Sequence, residues 1–425
     1  MSEEGQKILA VKGMPDVLPE QIVAWQHVEQ SIRKLMATYA YTEIRMPIME
    51  RTQLFKRSIG EVTDIVEKEM YTFLDQNGES ISVRPEGTAG CVRACIEHSL
   101  LRNQQQQKLW YMGPMCRYER PQKGRYRQFY QLGVEAFNLA GPDIDAEQIA
   151  MCARLWKELN IDSMISLQLN SLGDTASRVA HKKELVTYFT AKQHLLDDDS
   201  KRRLTTNPLR ILDSKNPEMQ DLIAKAPILL DYLDPASKQH FEELQAHLTK
   251  LGVSFSINPR LVRGLDYYNR TVFEWVTDKL GSQSAVCAGG RYDSLVEQLG
   301  GQSSQGVGFA LGIERILLLL GAAQQNFKAK LDGYLMCIGT AAENQRLYLA
   351  ESLRNKLPNF ALHTHMGTGS FKTLFQKADK SGARAALIIG DDEVANNTVS
   401  IKFLREDRPQ QTVAIDQIYL ALGDL

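Results

Sequence analysis

Residues 117–135 read RYERPQKGRYRQFYQLGVE, and their two halves differ sharply in character. Arg117, Arg120, Lys123, Arg125 and Arg127 surround a Pro-Gln-Lys-Gly turn in which only Glu119 opposes them. From Arg127 onward the side chains alternate. In extended backbone Arg127, Phe129, Gln131, Gly133 and Glu135 share one face, while Tyr130, Leu132, Val134 and Ala136 share the other. One face is apolar and the other carries selective polar groups. A half-buried strand with its polar face in solvent shows the same alternation, so the strand alone leaves a structural role open. The loop says more: guanidinium groups make a planar, two-point grip on carboxylate or phosphate, so this loop suits a nucleotide or a nucleic-acid end.

Short strands of this kind recur from Ile81 to Val276 as ISVR, KLWYMGPM, RQFYQLGVEAF and TVFEWV. They are mixed with helices but lack the regular strand-helix alternation of a parallel sheet, which predicts an antiparallel α+β core. Within residues 20–40, Trp25, Val28, Ile32, Leu35 and Tyr39 stand three or four apart, predicting an amphipathic helix whose apolar face is core or a subunit contact. Residues 176 to about 257 are helical in period, rich in charge, and broken by Asn207-Pro208, Asn216-Pro217 and Asp234-Pro235. They read as a helical insertion. After LGAAQQNFKAK, a polar linker, the tail alternates strand and helix (DGYLMCIG, ENQRLYLAESLRNKL, FALHTH, SFKTLFQKADKSG, ARAALIIG), as a separate α/β domain does. The expected division is 1–325, with the insertion, and 331–425.

A chain of 425 residues is too long for one ordinary core, which agrees with two domains. Its 50 Lys and Arg against 51 Asp and Glu leave a net charge of −1, so any polyanion must be met by a local patch. The acidic MSEEGQK start is followed by no apolar targeting segment, and the ILLLLGAA run from Ile316 is far below spanning length, so no membrane role is expected. The six cysteines form no CxxC pair or zinc-ligand cluster; Cys91 and Cys95, four apart on a predicted helix, read as packing, and unpaired thiols fit the cytoplasm. No internal repeat is present, and the glutamine run at 104–107 reads as a helix end or loop.

Three further clusters carry polar groups. RPEGTAG, 84–90, sets Glu86, Gly87 and Thr88 at a strand-to-helix junction, where Thr88 also suits a helix cap. LVRGLDYYNRTVFEW, 261–275, joins Arg263, Asp266, Tyr267 and Tyr268 to a strand. GVGFALGIERILLLL, 306–320, has glycines at 306, 308 and 312, but its GxGxxxG spacing and the absence of a strand-helix-strand unit argue against a dinucleotide fold.

Taken together, the clusters around Arg117, Arg263 and Arg315 resemble the signatures of class II aminoacyl-tRNA synthetases. LVRGLDYYNRTVFEW and AGGRYD, 288–293, resemble the two peptides that mark the histidyl-tRNA synthetase family in its bacterial form. The resemblance runs end to end, from KGMPDVLP at 12–19 through YTEIRMPI at 41–48 to the tail. It implies a six-stranded antiparallel catalytic core with a helical insertion and an α/β anticodon-binding domain. YTEIRMPI, with Pro47, is similar to the motif that builds the homodimer. Arg117 would grip the ATP α-phosphate, Glu119 the adenine side and Arg315 the γ-phosphate end, with Arg263 opposite Arg117 where other class II members use a metal ion. Glu86 and Thr88, with Gln131, would hold the α-amino group of histidine, Glu135 and Tyr268 the imidazole, and Tyr267 would close the pocket; Gly87, Arg117 and Arg263 count among the histidine-binding residues as well. Gln122 and Arg127 are candidates to meet the acceptor end of tRNA(His).

The resemblance further implies ATP with Mg²⁺ as substrate, no protein-ligated structural metal, and no side-chain nucleophile, because the histidine carboxylate attacks. Two arginines fixed across the α-phosphate stabilise the charge that builds there. A site that hydrogen-bonds a polar side chain rejects analogues lacking it by about 10⁴ to 10⁵, so no editing domain is expected. Two departures occur: Cys116 stands where an aromatic residue usually precedes Arg117, and Tyr130 where histidine is common. In the tail, Lys372, Lys377, Lys380 and Arg384 outnumber Asp379 locally, which fits an anticodon-binding surface and equally a solvated helix face. Two other classes share some of these features: the non-catalytic regulatory subunit of ATP phosphoribosyltransferase, which generally lacks the anticodon domain and the full arginine set, and a nicotinamide enzyme at Gly306. The complete tail with Arg117, Arg263 and Arg315 favours the synthetase.

Overall fold

The structure is a computed structural model that describes residues 7–60, 63, 65–212, 214, 216–265, 267–281, 285–322, 327 and 331–422. Asp266, the first six residues and most of the expected linker lie outside the described residues. The chain divides into two units, Met1–Asn326 and Phe327–Leu425.

In the first unit the strand expected from the arginine-rich stretch runs Gln128–Phe137. It pairs antiparallel with Gln107–Cys116 on one side and Gly306–Gly312 on the other, and the sheet continues antiparallel through Ala285–Arg291, Asn269–Val276 and Ser166–Ser171. Those six strands are the expected antiparallel core. Two-residue strands, Thr42–Glu43 and Ser256–Ile257, add a parallel edge at each side, so the whole sheet has eight strands and is mixed. ISVR, read as part of this core, belongs instead to a three-stranded sheet of Met49–Arg51, Ser80–Val83 and Thr72–Leu74. Its buried Ser82 joins the hydroxyls of Thr52 at 2.9 Å and Thr72 at 2.7 Å, a polar seam within this small sheet and the helix that follows its first strand.

The N-terminal helix runs Pro19–Thr38 and buries Trp25, Val28, Ile32 and Leu35, while Tyr39 ends it half-buried. Trp25 packs edge-on against Tyr130, with ring centroids 5.1 Å apart, so this face covers the outer side of the central strand. The apolar half of the alternation is thus core.

The segment after Ser171 is helical, with Thr175–Thr190, Asp198–Thr206, Gln220–Ala224 and Pro235–Lys250. Three of these helices start alike: Asp174, Asp197 and Asp234 each accept the amide of a serine three residues on, at 2.7, 2.7 and 2.9 Å, satisfying a donor the first turn leaves open. The prolines read as turn-makers begin helical turns at Pro208, Pro217 and Pro235, where a missing amide costs nothing. Leu185, Phe189, Leu204, Ile211, Met219 and Leu222 give this segment a core of its own. Its last helix meets the rest through a buried polar knot: His240 Nε2 lies 3.4 Å from Asp145, whose carboxylate pairs with the fully buried Arg291.

The second unit has a five-stranded sheet in the order Leu362–Thr364, Gly333–Ile338, Ala385–Gly390, Thr398–Phe403, Gln411–Ala414. The first three strands are parallel and the last two antiparallel. Helices Thr340–Lys356 and Phe371–Lys380 follow the predicted order, and a short helix, Asp391–Asn396, lies where none was expected.

Candidate active site

The polar face of the central strand leads to Glu135, which is 1% exposed. Thr88 Oγ1 and Tyr111 Oη donate to its Oε1 at 2.8 and 2.9 Å, and Tyr292 Oη donates to Oε2. Burial pushes this carboxyl up to about 8; the three hydroxyl donors pull the other way, and the charge of Glu86 adds to the rise. Glycines make the arrangement possible. A Cβ on Gly87 or Gly133 would overlap the Tyr111 ring, one on Gly306 the Tyr292 ring, and one on Gly308 the Glu135 carboxylate itself. The spaced glycines of GVGFALG are therefore room for Tyr292 and Glu135, and their strand lies antiparallel to both neighbours rather than in a dinucleotide-binding unit.

Glu86 caps the helix Thr88–Glu97, accepting the amides of Thr88 at 2.6 Å and Ala89 at 2.9 Å. The sequence suits Thr88 to that cap as well; with Glu86 in the role, the Thr88 hydroxyl donates to Glu135 instead. Gln131 Oε1 is buried with no hydrogen-bond partner among the described residues. Tyr267 and Tyr268 are buried, 4.7 Å apart between ring centroids, and meet Tyr292 at 5.6 and 6.4 Å.

Three arginines complete the walls. Arg117 donates Nε to Pro85 O at 2.8 Å, lies 5.3 Å from the centroid of Phe129, and has Glu119 at 3.9 Å. Arg263 donates to Glu274 at 2.5 Å with its guanidinium 5.5 Å from the Tyr268 ring centroid, and its Nε is buried without a partner among the described residues. Arg315 donates to Gly124 O at 3.3 Å and to Ala285 O. Burial holds Arg117 and Arg315 below the usual guanidinium value, and like charge adds to it, from Arg263 on Arg117 and from Arg117 and Arg125 on Arg315. Clustered, desolvated cations of this kind are stabilised by an incoming anion.

The cavity so formed has a volume of about 290 Å³. Glu86, Thr88, Arg117, Glu119, Gln131, Arg263, Tyr267, Tyr268 and Arg315 line it, bringing together segments up to 229 positions apart, from Glu86 to Arg315. Gly87 and Glu135 lie just behind its wall, with Glu135 bonded to Thr88 and Tyr292, which do line it. Gln122 and Arg127 also lie off its wall. Gln122 is exposed where it closes a turn with Arg125 at 3.0 and 2.9 Å, whereas Arg127 lies 3.8 Å from the Tyr118 ring centroid and donates to Glu119 O at 3.2 Å. Glu119 itself is ion-paired to Arg125.

Sequence reasoning missed Tyr111, Tyr292, Glu274 and Glu314. Glu314 takes the Tyr130 amide at 2.8 Å and is pushed up to about 7 by burial. Glu274 and Glu314 did leave a signal, an isolated acid inside apolar sequence (TVFEWV, GIERILLLL). Tyr111 left none.

Chemically the cavity offers a polar pocket floored by a hydroxyl-held carboxyl and, beside it, guanidinium groups for a polyanion. The profile of a family described as histidyl-tRNA synthetase matches residues 13–316, and that of an anticodon binding domain matches 333–424. The apo histidyl-tRNA synthetase of S. aureus is 36% identical, with a TM-score of 0.82, over 98% of this chain and 100% of that one. A protein from Bacillus halodurans described as an ATP phosphoribosyltransferase regulatory subunit/histidyl-tRNA synthetase is 20% identical (TM-score 0.66; 91% of this chain, 99% of that one). A histidyl-tRNA synthetase from Nostoc sp. is 19% identical (TM-score 0.71; 99% and 100%). At those identities the last two speak for the fold alone.

Proposed function

This chain belongs to the histidyl-tRNA synthetase family, and from that premise we propose how its residues divide the work. It is a class II aminoacyl-tRNA synthetase that activates L-histidine with ATP to histidyl-adenylate and charges tRNA(His), with a C-terminal anticodon-binding domain. The observation that carries the residue roles is the single cavity in which Arg117, Arg263 and Arg315 meet Glu86, Gln131 and the tyrosines.

Histidine occupies the end over Glu135. Three hydroxyls already hold that carboxyl; once ionised it keeps one acceptor position, which we assign to a ring N–H of histidine, and Tyr268 meets the other side of the imidazole. Glu86, Thr88 and Gln131 hold the α-amino group, with the unpartnered Gln131 Oε1 an acceptor in waiting; Gly87 contributes the space that lets Tyr111 reach Glu135. Tyr267 closes the pocket. ATP lies along the arginines, with its adenine toward Glu119, its α-phosphate between Arg117 and Arg263, and its γ-phosphate at Arg315.

The histidine carboxylate attacks the α-phosphorus, pyrophosphate departs, and charge growing on the phosphate oxygens meets guanidinium groups already in position. The terminal tRNA hydroxyl then attacks the adenylate carbonyl and AMP leaves; the adenylate phosphate takes the proton, since no histidine side chain among the described residues lines the cavity. Magnesium belongs to the substrate, riding on the ATP phosphates. Among the described residues no cluster of three His, Cys, Asp or Glu side chains could hold a metal ion.

Exposed Gln122 and the neighbouring Arg127 are our candidates for the tRNA acceptor end. Residues 1–325 form the catalytic domain and 331–425 the anticodon-binding domain. A homodimer through the YTEIRMPI segment is supported by exposed Ile48 at its end and Met49 beside it, 46% and 49% accessible. No helix among the described residues is long and apolar enough to cross a membrane, and we assign the enzyme to the cytoplasm. The test is exchange of labelled pyrophosphate into ATP with each of the twenty amino acids in turn. Exchange with histidine alone is expected; histidine binding without exchange would place this chain with the non-catalytic regulatory subunits.

A further inference from the structure

Arg263 sits in a loop, Pro259 to Tyr268, whose described residues form neither helix nor strand, so its shape depends on what grips its carbonyls. At its start Asn170 Nδ2 donates to Pro259 O at 3.3 Å and Leu261 O at 3.0 Å, and Leu261 is part of the catalytic core. At its end Tyr267 and Tyr268 pack into that same core, and Arg178 Nη1 donates to Tyr268 O at 2.8 Å. In the middle, Arg210 Nη2 donates to Gly264 O at 2.7 Å. That carbonyl lies in the residue next to Arg263, so fixing it fixes the backbone from which the guanidinium projects.

Arg178 lies on the helix Thr175–Thr190 and Arg210 in the turn Pro208–Ile211, so both arise from the inserted helical segment. The apolar core of that segment is separate from the one that holds Leu261, Tyr267 and Tyr268. At this loop, then, the two bodies meet through guanidinium-to-carbonyl bonds, which form and break without opening either core. A groove of about 1110 Å³ runs beside the contact, bordered by Arg210, Gln220 and Arg260, and reaches Arg263 and Glu274, which also line the active-site cavity.

We propose that Arg210 and Arg178 are positioning residues for adenylate formation: from the inserted helices they hold the Arg263 loop in the shape that presents its guanidinium to the α-phosphate. Neither lines the cavity that receives substrate. The inference rests on the reading of Arg263 given above.

The test is a double-mutant cycle in the full-length enzyme, read by histidine-dependent pyrophosphate exchange. Arg210→Ala is expected to lower kcat roughly ten- to hundredfold, the effect of a catalytic group displaced by about an ångström, while leaving the KM for histidine within about twofold. Arg210→Lys should recover part of the loss, and Arg178→Ala should show the same split between kcat and KM. Combined with Arg263→Lys, Arg210→Ala should cost little more than Arg263→Lys alone, because both act through one group. Losses that multiply in full, or unchanged kcat in Arg210→Ala, overturn the proposal. Normal exchange by Arg263→Lys alone would instead remove the role of Arg263. If Arg210→Ala does not fold, Arg210→Gln, which keeps a donor amide, is put through the same cycle.

Discussion

Replacing Glu135 by glutamine should make the empty enzyme more stable and a poorer judge of histidine, both in a pH-dependent way. Burial lifts this carboxyl from its ordinary 4.5 to about 8. At about 1.4 kcal/mol per pH unit, the span amounts to roughly 5 kcal/mol of burial cost for the ionised form. The sign follows from the direction: a carboxyl raised on folding contributes its stability below 4.5 and loses it as pH climbs through 8. Glutamine never ionises, so Glu135→Gln should gain on the wild type across that range, by about 3 kcal/mol at pH 7 and about 5 kcal/mol above pH 8, as upper bounds. Its oxygen still accepts from Thr88 and Tyr111, and its amide turns to the Tyr292 hydroxyl, which accepts as readily as it donates. Denaturant melts of the ligand-free proteins from about pH 6 to 9 measure the gap. The histidine KM supplies the second reading. Below about pH 7 the carboxyl and the amide are both neutral and the two enzymes should differ little; above pH 8 the wild type offers a charged acceptor, worth roughly tenfold in affinity over a neutral one. Taking the ratio of the two enzymes cancels the titration of histidine itself. A stability gap and a KM ratio that stay flat with pH would mean that Glu135 is ionised throughout, and the argument from burial would fail.

Arg263→His should depress histidine-dependent pyrophosphate exchange by roughly 10² to 10³, as loss of a fixed charge-stabilising donor does, while calorimetric histidine affinity changes only a few-fold; near-normal exchange would remove Arg263 from the α-phosphate. Gly133→Ala drives a methyl into Tyr111, so stability should fall by about 1–3 kcal/mol and the KM for histidine should rise more than that for ATP; equal changes would disconnect Tyr111 from the histidine end. Burial alone would raise Asp145, but Arg291 and His240 outweigh it and hold the carboxyl well below the usual range. Its stabilisation is therefore present above the ordinary value and lost as pH falls through the depressed one. Asp145→Asn should cost about 3 kcal/mol at neutral pH, the low end for a broken buried pair, because Arg291 keeps Asp293 at 3.3 Å and the carbonyls of Leu139 and Gly141; a loss under 1 kcal/mol in denaturant melts would contradict this.

The alternation Phe129, Gln131, Gly133, Glu135 was readable because a strand repeats every two residues, and that period also announced the antiparallel core. The arginines stood out by chemistry. Tyr111 did not, because its strand, KLWYMGPM, reads as plain core and its partner is set by register: Gly133, not Glu135, lies opposite it, and the hydroxyl reaches the carboxylate along the diagonal. ISVR was assigned to the wrong sheet because a four-residue strand carries no information about which edge it joins. The Asn-Pro and Asp-Pro steps read as breaks in the sequence, although proline after a capping residue begins a helix as naturally as it ends one. The tethers from Arg178 and Arg210 end on main-chain carbonyls, which every residue possesses, so no pattern in the sequence marks their targets.

The glycines packed around Glu135 have a consequence for ancestry and engineering. Any side chain at 87 or 133 strikes Tyr111, at 306 strikes Tyr292, and at 308 strikes Glu135 itself. Single substitutions that would reshape the amino-acid pocket from its backbone therefore break its floor before they create a new preference. Specificity here is guarded on the mutational landscape as well as in binding: a change at one of these glycines costs stability and histidine affinity first, and a larger side chain there is accommodated only when the ring or carboxylate it strikes changes with it.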